Sequence, residues 1–176
     1  VIIAIGLKEG DELIRVKITS GQDDIILVSR GGQAIRFREK DIRPMGRTAT
    51  GVKGMSLSKD DELLGMDIAK DDADLFVVTE KGRGKRTPVS QYPVQARGGK
   101  GVRTIRAGFK RGFLAGEKVV KDDHELVIVS NEGIVLRVPV GGISTMSRNT
   151  QGVKIMGLKG ADKVSALARL IIDEVP

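Results

Sequence analysis

A short sequence element recurs three times in the chain at nearly constant spacing. Its copies occupy residues 43–55, 92–105 and 144–156, and each places an arginine, three residues and then Gly-Val-cation in the same register. Aligned without gaps, the copies superimpose Arg47, Arg97 and Arg148, then Gly51, Gly101 and Gly152, then Lys53, Arg103 and Lys154. The period of 50 to 51 residues lies in the range of propeller-like and other repeat architectures, in which equal units pack side by side. The chain is therefore restricted to folds assembled from such units.

Each repeat also contains the pattern of a β-hairpin. Residues 24–37, 74–87 and 125–138 each begin with an acidic residue, which is followed by four apolar residues, a Ser or Thr and a glycine turn. A second run then ends near Arg36, Arg86 or Arg137. Short Val, Ile and Phe runs divided by a glycine turn are typical of hairpins. Because the first run does not alternate, it predicts a strand that is buried on both faces.

Two further strands complete each predicted unit. One follows the Gly-Val-cation element, at residues 52–57, 102–107 and 153–158, and the other follows a polar turn, at 62–69, 113–120 and 163–170. The same register predicts strands at 2–7 and 11–18, and it predicts a strand where residues 161–172 could be read as a helix. Four short strands per unit indicate an all-β fold, a propeller-like disc of four-stranded blades.

We expect one domain over residues 1–176, with units 2–51, 52–101 and 102–152 and a partial unit 153–176. Three units do not close a ring, so the disc is expected to be a partial ring. The chain also begins without Met, which favours a piece of a longer protein.

Charge is unevenly distributed along the chain. The formal net charge is +7, and residues 73–111 alone hold ten cations against two acids. Such segregation predicts one basic face, and a basic face indicates a polyanionic partner, nucleic acid before an acidic membrane. The aromatic content of 3% disfavours base stacking, so duplex is favoured over single strands.

Catalytic and metal-binding patterns are weak. Cysteine is absent, and His124 is the single histidine, at a turn position where we expect a solvated side chain. Tyr92 aligns with Ile42 and Ile143, so it is expected to pack in an apolar site rather than act as a nucleophile. The glycines of residues 97–101 could bring amides close to a phosphate or could form a structural loop between blades, and they do not match a Walker A loop. No cofactor or metal is predicted, and the chain is not expected to be an enzyme by itself.

These repeats resemble the C-terminal domains of DNA gyrase A subunits and, more widely, the C-terminal repeats of type IIA topoisomerases. The resemblance rests on residues 43–55, 92–102 and 148–156 and on the Gly-Arg-Gly-Lys-Arg turn at 82–86. Gyrases carry a box of the form Gln-Arg-Arg-Gly-Gly-Lys-Gly, and residues 95–101 match six of its seven positions, with Ala96 in place of an arginine. The box is usual in the first blade, whereas this copy lies late, so topoisomerase IV stays open as an alternative.

The resemblance implies a β-pinwheel whose basic rim bends and wraps double-stranded DNA. It also implies a cytoplasmic, nucleoid-associated enzyme that introduces negative supercoils. The remaining part of the gyrase A polypeptide would join the gyrase B polypeptide in a heterotetramer, with ATP and Mg²⁺ bound on other domains. A protein-interaction propeller and a small-molecule enzyme with a channel site are the rival functions.

The candidate DNA contacts combine rim cations with the box glycines. They are Arg47, Arg83, Lys85, Arg86, Arg97, Gly98, Gly99, Lys100, Gly101, Arg103, Arg148 and Lys154. Arg36, Arg137 and Lys53 lie near predicted strands, so they are set apart from this group.

Overall fold

Three hairpins form the centres of three separate antiparallel sheets in the computed structural model, which describes residues 2–171. The strands are β1 (Asp24–Ser29), β2 (Gln33–Arg38), β3 (Leu63–Ala69), β4 (Asp74–Thr79), β5 (Arg83–Pro88), β6 (Val102–Arg103), β7 (Leu114–Val120), β8 (His124–Ser130), β9 (Val135–Pro139), β10 (Val153–Lys154) and β11 (Val164–Ile171). Short 3-10 helices at Glu39–Asp41, Val89–Gln91 and Val140–Gly142 follow the hairpins. No α-helix occurs between residues 2 and 171, so the all-β prediction is confirmed.

The blades take their strands from successive repeats. Blade 1 has the order β3-β1-β2-β6, blade 2 has β7-β4-β5-β10, and blade 3 has β11-β8-β9 within the described residues. The outermost strand comes from far downstream, since Ala34 pairs with Val102 in blade 1 and Gly84 pairs with Val153 in blade 2. The hairpins of blades 1 and 2 are therefore each completed by the segment that follows the next hairpin.

The apolar faces of neighbouring blades form the core. One cluster joins blades 1 and 2 through Ile26 and Leu75, and a second joins blades 2 and 3 through Phe76 and Leu126. All four apolar residues are fully buried, and the continuous apolar runs of β1 and β4 are buried on both faces, as predicted. In blade 1 the face without a neighbouring blade packs against Met55, whereas one face of β8 is left partly exposed within residues 2–171, so its burial alternates.

Charged residues meet where the inner strands β3, β7 and β11 pack together. Glu117 is 2% exposed, and neither carboxylate oxygen has a hydrogen-bond partner among the described residues. Burial raises the pKa of Glu117 to about 7. Asp67 is equally buried, but its oxygens accept from the Val119 amide and pair with Lys17 at 3.0 Å, so its pKa is lowered although burial acts in the opposite direction.

Several predicted strands are shorter or missing. The strands predicted at 102–107 and 153–158 are reduced to two residues each, because the chain then turns Ile105 and Met156 into the core. The amides of these two residues donate to the carbonyls of Gly32 and Gly82 in the hairpin turns of blades 1 and 2. Beyond the two paired residues, packing of the inward-turned segment therefore replaces further hydrogen bonding between strands.

The predictions of strands at 2–7, 11–18 and 52–57 are wrong. In the repeat pattern, each of these three segments would pair with a hairpin that comes before β1–β2 in the chain. Residues 2–23 form no such hairpin, so the three segments have no strand to pair with there. Residues 11–18 instead contact the inner strands, where Lys17 pairs with Asp67. The prediction of a strand at 161–172 is confirmed over Val164–Ile171, whereas residues 161–163 belong to the turn that precedes it and Ile172 lies outside the described residues.

The glycines of the hairpin turns allow the downstream segment to approach. Gly32, Gly82 and Gly133 occupy the same turn position and all have positive φ. A Cβ atom on Gly82 would lie 2.3 Å from the carbonyl oxygen of Met156, and one on Gly32 would lie 2.6 Å from that of Ile105. A Cβ atom on Gly133 would meet nothing within 4 Å. Gly82 and Gly133 therefore differ in crowding but not in backbone conformation.

We expect Gly82→Ala to destabilise the chain more than Gly133→Ala. Both variants place alanine in the left-handed region, at a cost of about 1 kcal/mol. Gly82→Ala also forces Met156 away from the turn, which adds roughly 1–3 kcal/mol. Urea unfolding followed by circular dichroism measures the difference, and equal losses for the two variants would contradict this packing of the downstream segment.

Candidate nucleic-acid interface

Three loops occupy the same position in successive repeats, and we call residues 43–51, 93–101 and 144–152 the first, second and third rim loops. The second and third loops lie at the outer edges of blades 1 and 2. The second loop crosses the outer side of blade 1, where the Gln95 amide donates to the Arg36 carbonyl over 2.8 Å. The third loop repeats this contact on blade 2, where the Met146 amide donates to the Arg86 carbonyl over 2.8 Å. The two loops thus lead into the outermost strands β6 and β10 in the same geometry.

Close backbone packing accounts for the glycines of these loops. Gly101 has φ +71°, and a Cβ atom there would lie 2.2 Å from the Ala34 carbonyl oxygen. Gly152 has φ +70°, with a corresponding distance of 2.6 Å to the Gly84 carbonyl oxygen. The Gly98 amide donates to the Gly54 carbonyl over 2.7 Å, so this amide is already used within the protein. The observed contacts favour a structural role for Gly98 and Gly101, whereas Gly99 and Lys100 are exposed at the tip of the loop.

In the second and third rim loops, the recurring arginine contacts the segment that follows the preceding rim loop. Arg97 donates through Nη1 to the carbonyl of Lys53 over 3.1 Å, and Arg148 donates through Nη1 to the carbonyl of Arg103 over 3.3 Å. Lys53 and Arg103 occupy the same repeat position, so the two contacts are equivalent. Both arginines are partly exposed, and a guanidinium has five N–H donors, so each retains donors for a further acceptor.

Lys85 does not lie on the surface, contrary to the sequence prediction. Its side chain is fully buried, and Nζ donates to the carbonyls of Ser147 and Arg148 over 2.5 and 2.7 Å. Burial, together with the nearby charge of Arg148, lowers the pKa of Lys85 to about 8. Arg83 on the same strand is partly exposed and donates to the Gly152 carbonyl over 2.7 Å. Both side chains fasten the third rim loop to blade 2.

The arginines at the ends of the hairpins form ion pairs inside their own blades. Arg36 pairs with Asp24 and Asp71, each at 2.7 Å. Arg86 likewise pairs with Asp74 at 3.2 Å and with Asp122, and its side chain is only 11% exposed. The sequence predicts Arg86 as a DNA contact, but its charge is compensated and directed into the blade.

The remaining predicted cations are uncompensated. Between residues 2 and 171, no ion pair involves any cation of the rim loops or of the strands that follow them. The exposed members of this group are Arg43, Arg47, Lys53, Lys100, Arg103 and Lys154. Positive charge is therefore concentrated along the rim, while many of the cations on the blades are paired with acids.

Three further cations extend this surface beyond the predicted set. Arg106 and Arg111 line a cleft of about 310 Å³ together with Arg103, and Lys110 is exposed next to Arg111. In the sequence, these three cations are indicated only by the cation-rich stretch 73–111. Because they lie outside the recurring motif, nothing in the sequence distinguishes them from the other cations of that stretch.

The residues considered for catalysis have structural surroundings. Tyr92 is 1% exposed in the core cluster between blades 1 and 2, as predicted, and its hydroxyl shares a hydrogen bond with that of Thr104. The prediction of a solvated His124 is wrong, since its side chain is 11% exposed and Nδ1 accepts from the Lys121 amide. Among the described residues, no three Asp, Glu, His or Cys side chains converge as metal ligands, and no helix is long and apolar enough to cross a membrane.

Comparison with known proteins gives one consistent family. The family model described as the DNA gyrase C-terminal domain, beta-propeller, matches residues 2–20, 23–70, 73–121 and 124–170. The DNA gyrase A subunit of Mycolicibacterium smegmatis is 44% identical over 170 residues, which cover 96% of this chain and 20% of that protein. The corresponding gyrase A subunit of Staphylococcus aureus is 43% identical, with coverages of 96% and 19%. The chain spans about a fifth of the length of these curated relatives.

Solved structures agree in fold. A DNA gyrase A C-terminal domain superimposes with a TM-score of 0.89 at 27% identity, covering 97% of this chain and 58% of that one. The C-terminal domain of a DNA topoisomerase IV superimposes with a TM-score of 0.90 at 24% identity, covering 96% and 53%. The second likeness shows the fold alone, because the identity is low. Together with the family match, the superpositions confirm the propeller-like disc.

The burial of Lys85 predicts a pH effect on stability. Because the folded chain binds Lys85's proton less tightly than the unfolded chain, Lys85 should make stability rise between about pH 8 and pH 10.5. We expect Lys85→Met to lack this contribution, whereas Lys100→Met, at an exposed position, keeps the wild-type profile. Urea unfolding over this pH range measures both differences. Identical profiles for wild type and Lys85→Met would place the Lys85 amine in solvent.

Proposed function

The chain belongs to the family of DNA gyrase C-terminal domains, and from this premise we propose that it binds double-stranded DNA along its rim loops and bends the duplex around the disc. The observation that carries the proposal is the row of uncompensated cations on equivalent loops of successive repeats. A repeated contact of this kind suits a ligand with a repeated charge, and duplex DNA presents phosphates at regular intervals along both strands.

The connections between the loops support a continuous path. Arg97 joins the second rim loop to Lys53 of the preceding element, and Arg148 joins the third loop to Arg103. Because these hydrogen bonds run from one repeat to the next, we place the cations on one continuous surface that follows the rim of the disc. A duplex that follows this surface has to bend, so affinity should depend on the deformability of the DNA more than on contacts to particular bases.

We propose no catalytic step for the chain itself. By family, it would act beside the cleavage core of a gyrase, which the rest of the gyrase A polypeptide and the gyrase B polypeptide would form, with ATP and Mg²⁺ on those other parts. Wrapping would present one DNA segment to another and so give strand passage its direction, which leads to negative supercoiling. The protein would then work in the cytoplasm, associated with the nucleoid.

Sequence identity favours gyrase over topoisomerase IV as the parent enzyme. The gyrase A subunits of the two bacteria are 43–44% identical to the chain, and this identity supports the choice, since the two solved domains differ little, at 27% for gyrase A and 24% for topoisomerase IV.

Salt dependence of binding tests the electrostatic basis of the proposal. If about six phosphates are engaged, the logarithm of the binding constant should fall with the logarithm of salt concentration at a slope of roughly −5. Fluorescence anisotropy with a labelled duplex over a range of KCl concentrations gives this slope. A slope near zero would contradict the proposal, and salt-insensitive capture of a protein would support an interaction propeller instead.

Removing two rim cations should weaken binding to all sequences alike. We expect Arg97→Ala combined with Lys100→Ala to reduce the steepness of the salt slope by about 2, because each lost contact contributes roughly 0.9. The control is Arg137→Ala combined with Lys121→Ala, which removes the same charge from two side chains that are paired with Glu125 and Asp72 on the blades. Equal effects of the two double variants would point to net charge alone, and a loss confined to some sequences would indicate base readout.

A further inference from the structure

One loop of blade 2 departs from the repeat pattern. The turn that leads into each inner strand is Ser-Lys-Asp-Asp at residues 58–61 and Lys-Gly-Ala-Asp at 159–162, but Gly-Phe-Lys-Arg-Gly at 108–112. The copy at 108–112, which we call the Phe109 loop, has one residue more and replaces the acids by two cations and an aromatic ring. The change alters the chemistry at one position of an otherwise regular disc.

The acids of the other two copies have a structural role that the Phe109 loop has lost. Asp61 accepts from the Gly31 amide over 2.7 Å, and Asp162 accepts from the Glu132 amide over 3.1 Å, so each caps the hairpin turn of its blade. In blade 2 the hydrogen bonds run in the opposite direction, from the hairpin to the loop, because Lys81 of the hairpin donates through Nζ to the carbonyls of Phe109 and Lys110 over 3.3 and 3.0 Å. The loop is thus fastened to the blade by its backbone, which leaves its side chains free to face outward.

The backbone of the Phe109 loop is held in a closed turn. The Gly108 amide donates to the Gly112 carbonyl over 3.2 Å, and the Arg111 amide donates to the Gly108 carbonyl over 3.0 Å. Both glycines have positive φ, 143° and 83°. The position of Phe109 at the tip is therefore fixed by hydrogen bonds at both ends of the loop.

Phe109 is exposed in a chain that buries nearly all of its other aromatic rings. Its exposed fraction is 90%, against 1% or less for Phe37, Phe76 and Tyr92. The ring stands edge-on to Phe113, with 5.3 Å between centroids and 79° between planes, and the guanidinium of Arg30 stacks on Phe113 at 5.1 Å. Phe113 thus supports Phe109 from one side without covering it, and an apolar face is presented to solvent.

Arg111 of the same loop lines a cleft together with Arg103 and Arg106. Within residues 2–171 none of these arginines forms an ion pair, and Arg103 belongs to the row of rim cations described above. An apolar wedge flanked by cations is the combination with which DNA-bending proteins open a base step: the cations hold the phosphates while the wedge enters between neighbouring bases.

We propose that Phe109 is a wedge that inserts between base pairs of the bound duplex and kinks it, while Arg103, Arg106 and Arg111 hold the flanking phosphates. This inference rests on the proposed function, since it requires DNA on the rim. It adds a localised kink to an otherwise smooth bend, and it predicts a preference for pyrimidine–purine steps, which unstack most readily.

Permanganate oxidation of thymine tests the wedge, because permanganate attacks thymines that have lost stacking. The 176-residue chain is bound to a linear duplex that contains TA steps at intervals, and reactive thymines are mapped on a sequencing gel. We expect reactive thymines with the wild type and none with Phe109→Ala. Phe109→Leu should keep the reactivity, since leucine also serves as a wedge. Phe109→Ala should weaken binding roughly five- to tenfold, the effect of losing one stacked base, with an unchanged salt slope.

Ile134→Ala is the matched control, because it shortens an apolar side chain that is 54% exposed on the turn of blade 3. It should leave both thymine reactivity and affinity unchanged. Steep salt-dependent binding without reactive thymines, or reactivity that survives Phe109→Ala, would overturn the wedge and leave the proposed function intact. Absence of DNA binding by the wild type would instead overturn the proposed function, and the wedge with it.

Discussion

The fold depends on the pairing of the hairpins of blades 1 and 2 with two residues each that lie almost seventy positions further along the chain. Val102 and Val153 reach Ala34 and Gly84 only because Gly101 and Gly152 carry no side chain, since a Cβ atom on either would overlap a backbone carbonyl. This close approach completes a blade and at the same time fixes the rim loop that precedes it. The stability of the disc and the position of its basic surface therefore have the same origin.

Pairing and burial decide which cations this arrangement leaves available. A charge placed within a blade requires a partner, because the cost of removing it from water is large. Arg36 and Arg86 accordingly have two carboxylates each, and Lys85 has two carbonyls and a lowered pKa. The cations of the rim loops have no acidic partners within residues 2–171, and their charge remains directed outward. The result is a basic edge on a disc whose blades are largely neutralised.

Structural features that depend on neighbouring residues can be predicted from local sequence patterns, whereas pairing between distant segments cannot. The hairpins and inner strands follow from apolar runs and glycine turns, because burial on both faces and a left-handed turn each leave a mark in a few adjacent residues. The strand predicted at 52–57 is wrong because a strand requires a partner, and whether a partner exists is a property of the distant chain. Recurrence likewise identifies Arg97 and Arg148 but cannot distinguish the buried Lys85 from an exposed cation. The direction of the Lys85 side chain depends on Ser147 and Arg148, which lie more than sixty residues away.

Wrapping is the central claim, and a linking-number measurement tests it most directly. The chain is bound to relaxed closed-circular DNA, a nicking-closing enzyme relaxes the complex, and gel electrophoresis reads the change in linking number after the protein is removed. A path around the rim with the handedness of the family predicts a positive shift that grows with the amount of bound chain and disappears at high salt. Binding without any shift would contradict wrapping and would leave a disc that holds DNA without turning it.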